Sequence, residues 1–225
     1  MALTLSRRIH ADPARERIWT EATVVTVVRT ILCVALAGAA AYSHELWLLV
    51  AALVVHWVGD SIDGWWARVR DCETRTGATL DILSDRFDLA AFYIGLAWLQ
   101  PDLMPAVLIY LAEFLVVDCF ISLAFLFWPI TSPNYFYVVD RTIWRFNWSK
   151  PAKAVNSALF GVLLLLTREL WWGVWLGGAI AVALLAYKCL ATAQLMRLGL
   201  PMPTADLPNA DPADDGAAET AGSNR

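Results

Sequence analysis

Residues 59–86 read GDSIDGWWARVRDCETRTGATLDILSDR and lie between hydrophobic stretches long enough to span a bilayer. Carboxylates at membrane depth are costly, so four of them in one short stretch require a function. At about 100° per residue, Asp60 and Asp63 share one helical face, and so do Asp81 and Asp85. Two helices that meet along these faces would place four carboxylates around one pocket. Because such a pocket would repel itself, the pattern predicts bound divalent cations, of which Mg²⁺ takes carboxylate and phosphate oxygens.

Small residues accompany the acids on both predicted helices. Gly64 and Ala67 lie within about 60° of the Asp60 direction, where they leave room for a ligand to approach the backbone. On the second helix, Gly77 precedes the pair of acids by about one turn. Arg68 follows one turn after Gly64, where its guanidinium would bind phosphate oxygens. Together these residues predict a diphosphate bridged by magnesium.

This arrangement resembles the signature of the CDP-alcohol phosphatidyltransferases. Eight positions over 26 residues match that signature without a gap or substitution: Asp60, Asp63, Gly64, Ala67, Arg68, Gly77, Asp81 and Asp85. The stretch TRTGATLDILSDR is also similar to bacterial phosphatidylinositol-phosphate synthases, and phosphatidylglycerophosphate synthases belong to the same group. An intramembrane Asp can instead pair with a basic neighbour or face water, but chance would then have to place all eight positions.

The resemblance implies a reaction and a set of roles. A phosphatidyl group would pass from CDP-diacylglycerol to the hydroxyl of a small polar alcohol, with release of CMP, in phospholipid biosynthesis. The four acids would hold two Mg²⁺ or Mn²⁺ ions, Asp85 would also act as general base, and Arg68 would steady the diphosphate. The CDP-lipid site would be completed by residues that border the nucleotide: Gly64, Ala67, Thr74, Gly77, Thr23 and Thr26. A homodimer is also implied.

Several polar residues near the signature have local alternatives. The hydroxyls of Thr23 and Thr26 can bond their own helix instead of a nucleotide, and Thr74 can cap a loop. Asp88 shares the face of Asp81 and Asp85 beyond the signature and is expected in the pocket wall or behind it. No role is predicted for Arg29, inside the first span, or for the three histidines.

Composition predicts an integral membrane protein, because 59% of the residues are hydrophobic and the mean hydropathy is +0.53. Six spans are predicted, at about 24–43, 46–67, 79–99, 103–128, 152–167 and 170–195. The predicted fold is therefore an all-α bundle of six transmembrane helices over residues 23–197. Residues 1–22 would form a juxtamembrane segment with an amphipathic helix, and residues 198–225 a disordered tail.

Basic residues predict the orientation, because they concentrate before the first span, after the sixth, and in the loops that follow the second and fourth. Both termini and the acidic motif would face the cytoplasm of a multi-pass protein in the cell membrane. A net charge of −4 leaves no basic face for nucleic acid.

The acceptor is the least constrained part of the prediction. Four basic residues crowd the stretch before the fifth span and favour an acceptor that carries a phosphate: Arg141, Arg145, Lys150 and Lys153. Positive-inside anchoring is the alternative for these four, and either Glu113 or Asp118 is expected to line the acceptor cavity. An unphosphorylated polyol and phosphatidylglycerol remain open as acceptors. The other classes of function are an intramembrane cation transporter, without the inverted repeat typical of that class, and a non-catalytic scaffold.

Overall fold

A computed structural model describes residues 9–201, without the side chains of residues 150 and 156–158. Every regular element in this range is helical. The helices are α1 (Glu21–Ser43), α2 (Leu46–Val69), α3 (Arg75–Leu99), α4 (Pro101–Phe127), α5 (Arg141–Asn147), α6 and α7 (Gly173–Arg197). Helix α6 consists of three consecutive segments, Lys150–Lys153, Ala154–Leu159 and Phe160–Thr167, the middle one π-helical. Helix α4 also contains a π-helical segment, Glu113–Asp118.

Local capping residues set the bounds of the first three helices. The Thr20 side chain accepts a hydrogen bond from the Thr23 amide, and α1 begins directly after Thr20, at Glu21. His44 ends α1 in the left-handed conformation, with φ at 56°, so the chain turns into α2 within two residues. Thr74 caps α3 in the same way as Thr20 caps α1. Because α1 packs along both α2 and α3, these three helices form one side of the bundle.

Two apolar clusters hold the helices together. The larger lies among α1, α2, α3, α4, α6 and α7, where the rings of Tyr110 and Phe160 stack with their centroids 4.1 Å apart. The smaller packs α5 and the preceding 3₁₀ segment Pro133–Val138 against the ends of α4 and α7, around Phe136 and Trp148. Residues of both clusters line the cavity described below, so the cavity lies where they meet.

Four of these helices, α1, α2, α4 and α7, are long and apolar enough to cross a membrane. The predicted count of six spans is not confirmed, because α3 carries four ionisable side chains between residues 81 and 88 and α6 is divided by its π-helical segment. Exposed tryptophans at the ends of α2, α3 and α7 suit a membrane–water interface: Trp47, Trp98 and Trp175.

The segment before α1 forms a single 3₁₀ turn, Pro13–Arg15, so the predicted amphipathic helix is not confirmed in the described part of the chain. The Glu16 carboxylate instead accepts hydrogen bonds from the amides of Arg75 and Thr76, both 2.9 Å, and from the Thr76 hydroxyl at 2.7 Å. Burial raises the pKa of Glu16, but these hydrogen bonds outweigh it and hold the pKa below its usual value. Glu16 therefore fixes this segment to the first turn of α3.

The same segment also contacts the loop that follows α4. The Thr131 amide donates to the Ile9 carbonyl at 2.9 Å, and the Ala11 amide donates to the Pro129 carbonyl at 3.2 Å. Residues 9–20 therefore cross between two parts of the bundle. Residues 1–8 and most of the predicted disordered tail, residues 202–225, lie outside the described range.

Candidate active site

One cavity of about 240 Å³ brings the predicted donor-side residues together. It is lined from α1, α2, α3 and the loop between the last two by Thr23, Thr26, Asp60, Asp63, Gly64, Ala67, Arg68, Thr74, Gly77, Asp81 and Asp85. The short loop after α2 returns the chain alongside it, so the two halves of the acidic motif face each other.

Three carboxylates converge in this cavity. One oxygen from each of Asp60, Asp63 and Asp81 lies within 4.8 Å of the others. The side chain of Asp63 is buried, whereas that of Asp60 is 49% exposed, so the group opens toward the cavity on one side. Asp85 lies one turn beyond Asp81 and is 29% exposed. These hard oxygen donors, at this spacing and partly open to a ligand, fit a divalent cation such as Mg²⁺.

A buried arginine that the sequence did not assign lies among these acids. Nη2 of Arg29 is 2.9 Å from Oδ1 of Asp85 and 3.4 Å from Oδ1 of Asp81. Its Nη1 is 3.6 Å from Oδ1 of Asp60 and 3.7 Å from Oδ2 of Asp63. An ionisable residue inside an apolar span was the signal available in the sequence, since such residues are rare and paired.

Threonine hydroxyls support the acids from α1. The Thr26 hydroxyl lies 2.9 Å from Oδ2 of Asp63, to which it donates, and 3.1 Å from the Ala22 carbonyl of its own helix. The predicted contact of Thr26 with its own helix is therefore present, its contact within the site is with an acid, and its role toward a nucleotide stays a prediction. The Thr23 hydroxyl instead lies 2.9 Å from the Thr20 hydroxyl.

The small residues and Arg68 form the open part of the cavity. A Cβ added at Gly64 would lie 3.3 Å from Nη1 of Arg68, so glycine lets the exposed guanidinium lie close against α2. Thr74 both lines the cavity and caps α3, since its hydroxyl accepts from the Gly77 amide at 3.0 Å. The predicted cap and a nucleotide contact are therefore compatible.

Beyond Asp85, the cavity continues to a second charged group. Asp118, in the π-helical segment of α4, lies 2.5 Å from both Nη2 of Arg86 and Nζ of Lys188. Lys188 also donates to Oδ1 of Asn147 at 3.0 Å, and Arg86 donates to the Ser122 hydroxyl at 2.9 Å. All five of these residues line the cavity. No motif in the sequence indicated a role for Arg86 or Lys188 in the site, because their partner lies on another helix.

The four predicted acceptor residues do not all line the cavity. Lys153 lines the cavity, and its Nζ donates to Oδ1 of Asn134 at 2.9 Å. Arg141 and Arg145 are exposed and are not among the cavity-lining residues, while the side chain of Lys150 lies outside the described part. Of the two acids considered for the acceptor side, Asp118 lines the cavity, whereas Glu113 is buried and is not among the lining residues.

Asp88 lies behind the acidic group rather than in its wall. It is fully buried, and its Oδ2 is 3.2 Å from Nδ1 of His56, which lines the cavity. His56 is therefore placed beside the acids, although no ligand pattern in the sequence had assigned it a role.

A helical bundle with an acid cluster shared by two neighbouring helices defines the class of protein, a membrane protein with a candidate divalent-cation site. The CDP-alcohol phosphatidyltransferase family profile matches residues 19–192, and the chain belongs to this family. Such enzymes are phosphotransferases for substituted phosphate groups, which pass a phosphatidyl group from a CDP-alcohol to an acceptor alcohol and generally use divalent metal ions. The family resemblance is thus confirmed, and with the four apolar helices it indicates a multi-pass membrane protein. No curated protein and no solved structure matched the chain.

Proposed function

We propose that this enzyme transfers a phosphatidyl group from CDP-diacylglycerol to the hydroxyl of a small phosphorylated alcohol and releases CMP. The observation that carries the proposal is the convergence of Asp60, Asp63 and Asp81 within 4.8 Å, in a cavity that continues past Asp85 to further cationic side chains. A donor diphosphate would lie at the acids and an acceptor at the cationic end.

The donor side would be organised by the signature residues. The four acids of the signature would hold two Mg²⁺ or Mn²⁺ ions, which when bound neutralise the diphosphate and stabilise the departing CMP. Arg68, exposed beside Gly64, would bind the diphosphate oxygens through charge-assisted hydrogen bonds. Ala67, Thr74 and Gly77 would border the nucleotide, while the lipid tails stay in the bilayer.

Asp85 would act as general base. On α3 it follows Asp81 by one turn and precedes Arg86, and all three line the cavity, so an acceptor hydroxyl would meet the donor there. The hydroxyl oxygen would form a bond to the lipid-side phosphorus while the bond from that phosphorus to the CMP oxygen breaks. The hydroxyl proton would pass to the Asp85 carboxylate.

The acceptor phosphate would be bound at the far end of the cavity. Lys153, Arg86 and Lys188 all line the cavity, and guanidinium and ammonium groups bind phosphate through charge-assisted hydrogen bonds. The ion pairs of Arg86 and Lys188 with Asp118 favour a second candidate, an unphosphorylated polyol, because they already neutralise part of this charge.

We further propose that α3 and α6 complete six spans, and that both termini and the cavity mouth face the cytoplasm. The basic loops support this orientation. A cytoplasmic mouth would give the cavity access to soluble acceptors. The enzyme would act as a homodimer, as its family suggests.

The test is an acceptor screen with purified enzyme, labelled CDP-diacylglycerol and Mg²⁺, in which CMP and the lipid product are both measured. We expect glycerol phosphate or an inositol phosphate to be converted at least tenfold faster than the matching free polyol, the ratio that about 1.4 kcal/mol of phosphate binding would give. A faster reaction with the free polyol would select the second candidate. CMP release with neither class of acceptor would refute both.

A further inference from the structure

We propose that Arg29 is the positioning residue of the acid cluster, a fixed internal cation that holds the carboxylates of two helices in the arrangement that receives the metal. Each terminal nitrogen of its guanidinium faces the acids of one helix. Nη1 faces the α2 pair, Asp60 and Asp63, and Nη2 faces the α3 pair, Asp81 and Asp85. Arg29 therefore connects α1, α2 and α3 at the point where the two pairs of signature acids meet. The inference rests on the metal site of the proposed function.

The course of the Arg29 side chain is fixed by its packing against α2. Only 2% of the side chain is exposed, although it carries a full charge inside an apolar helix. It passes directly over Gly59, where an added Cβ would overlap Cγ and Cδ of Arg29. Any larger residue at position 59 would displace the guanidinium, so the glycine before the first signature acid serves this contact.

Asp88 holds the guanidinium from the side away from the cavity. Nε of Arg29 lies 3.6 Å from Oδ2 of Asp88, which is fully buried and also contacts His56. Since Asp88 does not line the cavity, it is not placed to reach a substrate there. Its position makes it a support for Arg29. This role explains why an acid lies three residues beyond Asp85, outside the signature.

The charges of this group explain why a cation is needed there before metal binds. Five carboxylates and one guanidinium leave a formal charge of −4, because five negative charges meet one positive charge. Two divalent cations would cancel that remainder. Guanidinium stays protonated at any physiological pH and its planar fork can meet acids on both sides, which a lysine ammonium does less well. Without Arg29, the metal-free acids would lose the guanidinium that contacts both signature pairs and would repel one another.

The test compares unfolding temperatures of purified protein with and without saturating Mg²⁺. Arg29→Gln should lower the Tm of the metal-free protein by about 6 °C or more, the shift expected when a buried charge pair loses one partner. Mg²⁺ should then raise the Tm of this variant more than that of wild type, because the ion replaces the missing charge. The matched control is Arg168→Gln, which removes another partly buried arginine, paired with Glu169, and should show the wild-type response to Mg²⁺.

Other results would overturn the inference. An equal loss of Tm with and without Mg²⁺ would mean that Arg29 only fills space, and an unchanged metal-free Tm would mean that it does not hold the acids. If Arg29→Gln does not fold, adding Asp88→Asn removes the support acid together with the guanidinium and should restore folding; failure to do so would refute the charge argument. If Mg²⁺ does not change the Tm of the wild-type protein, that result would count against the metal site. The Tm difference between wild type and Arg29→Gln without Mg²⁺ still tests the role of Arg29.

Discussion

Replacing Thr26 by valine would test whether the first helix affects the affinity of the proposed metal site. The substitution keeps the shape of the side chain and removes the hydroxyl that donates to Asp63 at 2.9 Å. Asp63 is buried, so water does not readily replace the lost donor. A hydrogen bond to a charged group contributes about 1.5–3 kcal/mol, which corresponds to about 10–100-fold in affinity. Residues that orient metal ligands typically have effects of this size.

The lower end of that range is the expected one, because Asp63 keeps the Arg29 guanidinium at 3.7 Å. We therefore expect the Mg²⁺ concentration for half-maximal CMP release to rise about tenfold in Thr26→Val, with kcat at saturating Mg²⁺ close to wild type. The matched control is Thr23→Val, whose hydroxyl contacts Thr20 rather than an acid. An unchanged Mg²⁺ dependence in Thr26→Val would refute the reasoning, and an equal shift in Thr23→Val would assign the effect to helix packing.

Further predictions address the base, the acceptor, the orientation and the N-terminal segment. Asp85→Asn should reduce kcat by about 10²–10⁴-fold with Mg²⁺ still raising the Tm; near-normal turnover would reassign the base. Lys153→Ala should raise the acceptor KM more than the CDP-diacylglycerol KM, with exposed Arg145→Ala as control; equal effects on both substrates would place Lys153 outside the acceptor site. In a variant whose single cysteine is Cys72, an impermeant thiol reagent applied to intact cells should not react, whereas a permeant one should. The stability that Glu16 contributes is fully present above its usual pKa of about 4.5 and is lost as pH falls through its lowered pKa. Glu16→Gln should therefore reduce the Tm at pH 7 and make the Tm difference between pH 7 and pH 3 smaller than in wild type.

The meeting of the signature acids was predictable because it follows from local geometry. Helical spacing places Asp60 with Asp63 and Asp81 with Asp85, and a loop of five residues between α2 and α3 obliges the two pairs to meet. The small residues of the signature follow from the same spacing. These features are fixed by residues close together in sequence.

The arginine and lysine partners were not predictable in this way. Arg29 lies more than thirty residues before the first acid it contacts, and Lys188 lies seventy residues after Asp118. Which buried charges meet is decided by helix packing, and one sequence contains no direct record of it. Only the free-energy cost of a charged side chain inside a membrane indicated that these residues have partners.

The stretch before α1 shows a different limit. Its charged and apolar residues are compatible with an amphipathic helix, yet Glu16 is bound to the first turn of α3 and the chain is extended at the cap of α1. Tertiary hydrogen bonds to a helix N-terminus outweighed the local preference. Similarly, a cluster of basic residues does not reveal which of them face a cavity, as Arg145 and Lys153 illustrate.

The attachment of residues 9–20 bears on how the enzyme can be shortened or fused. Through Glu16 this segment holds the turn that begins with Thr74, and Thr74 is part of the cavity wall. A protein cut back to the start of α1 would keep every signature residue, yet the wall of the cavity at Thr74 would lose an anchor. Bulky tags joined directly before Ile9 would push against the loop at Pro129, so a flexible spacer belongs between any such tag and the enzyme.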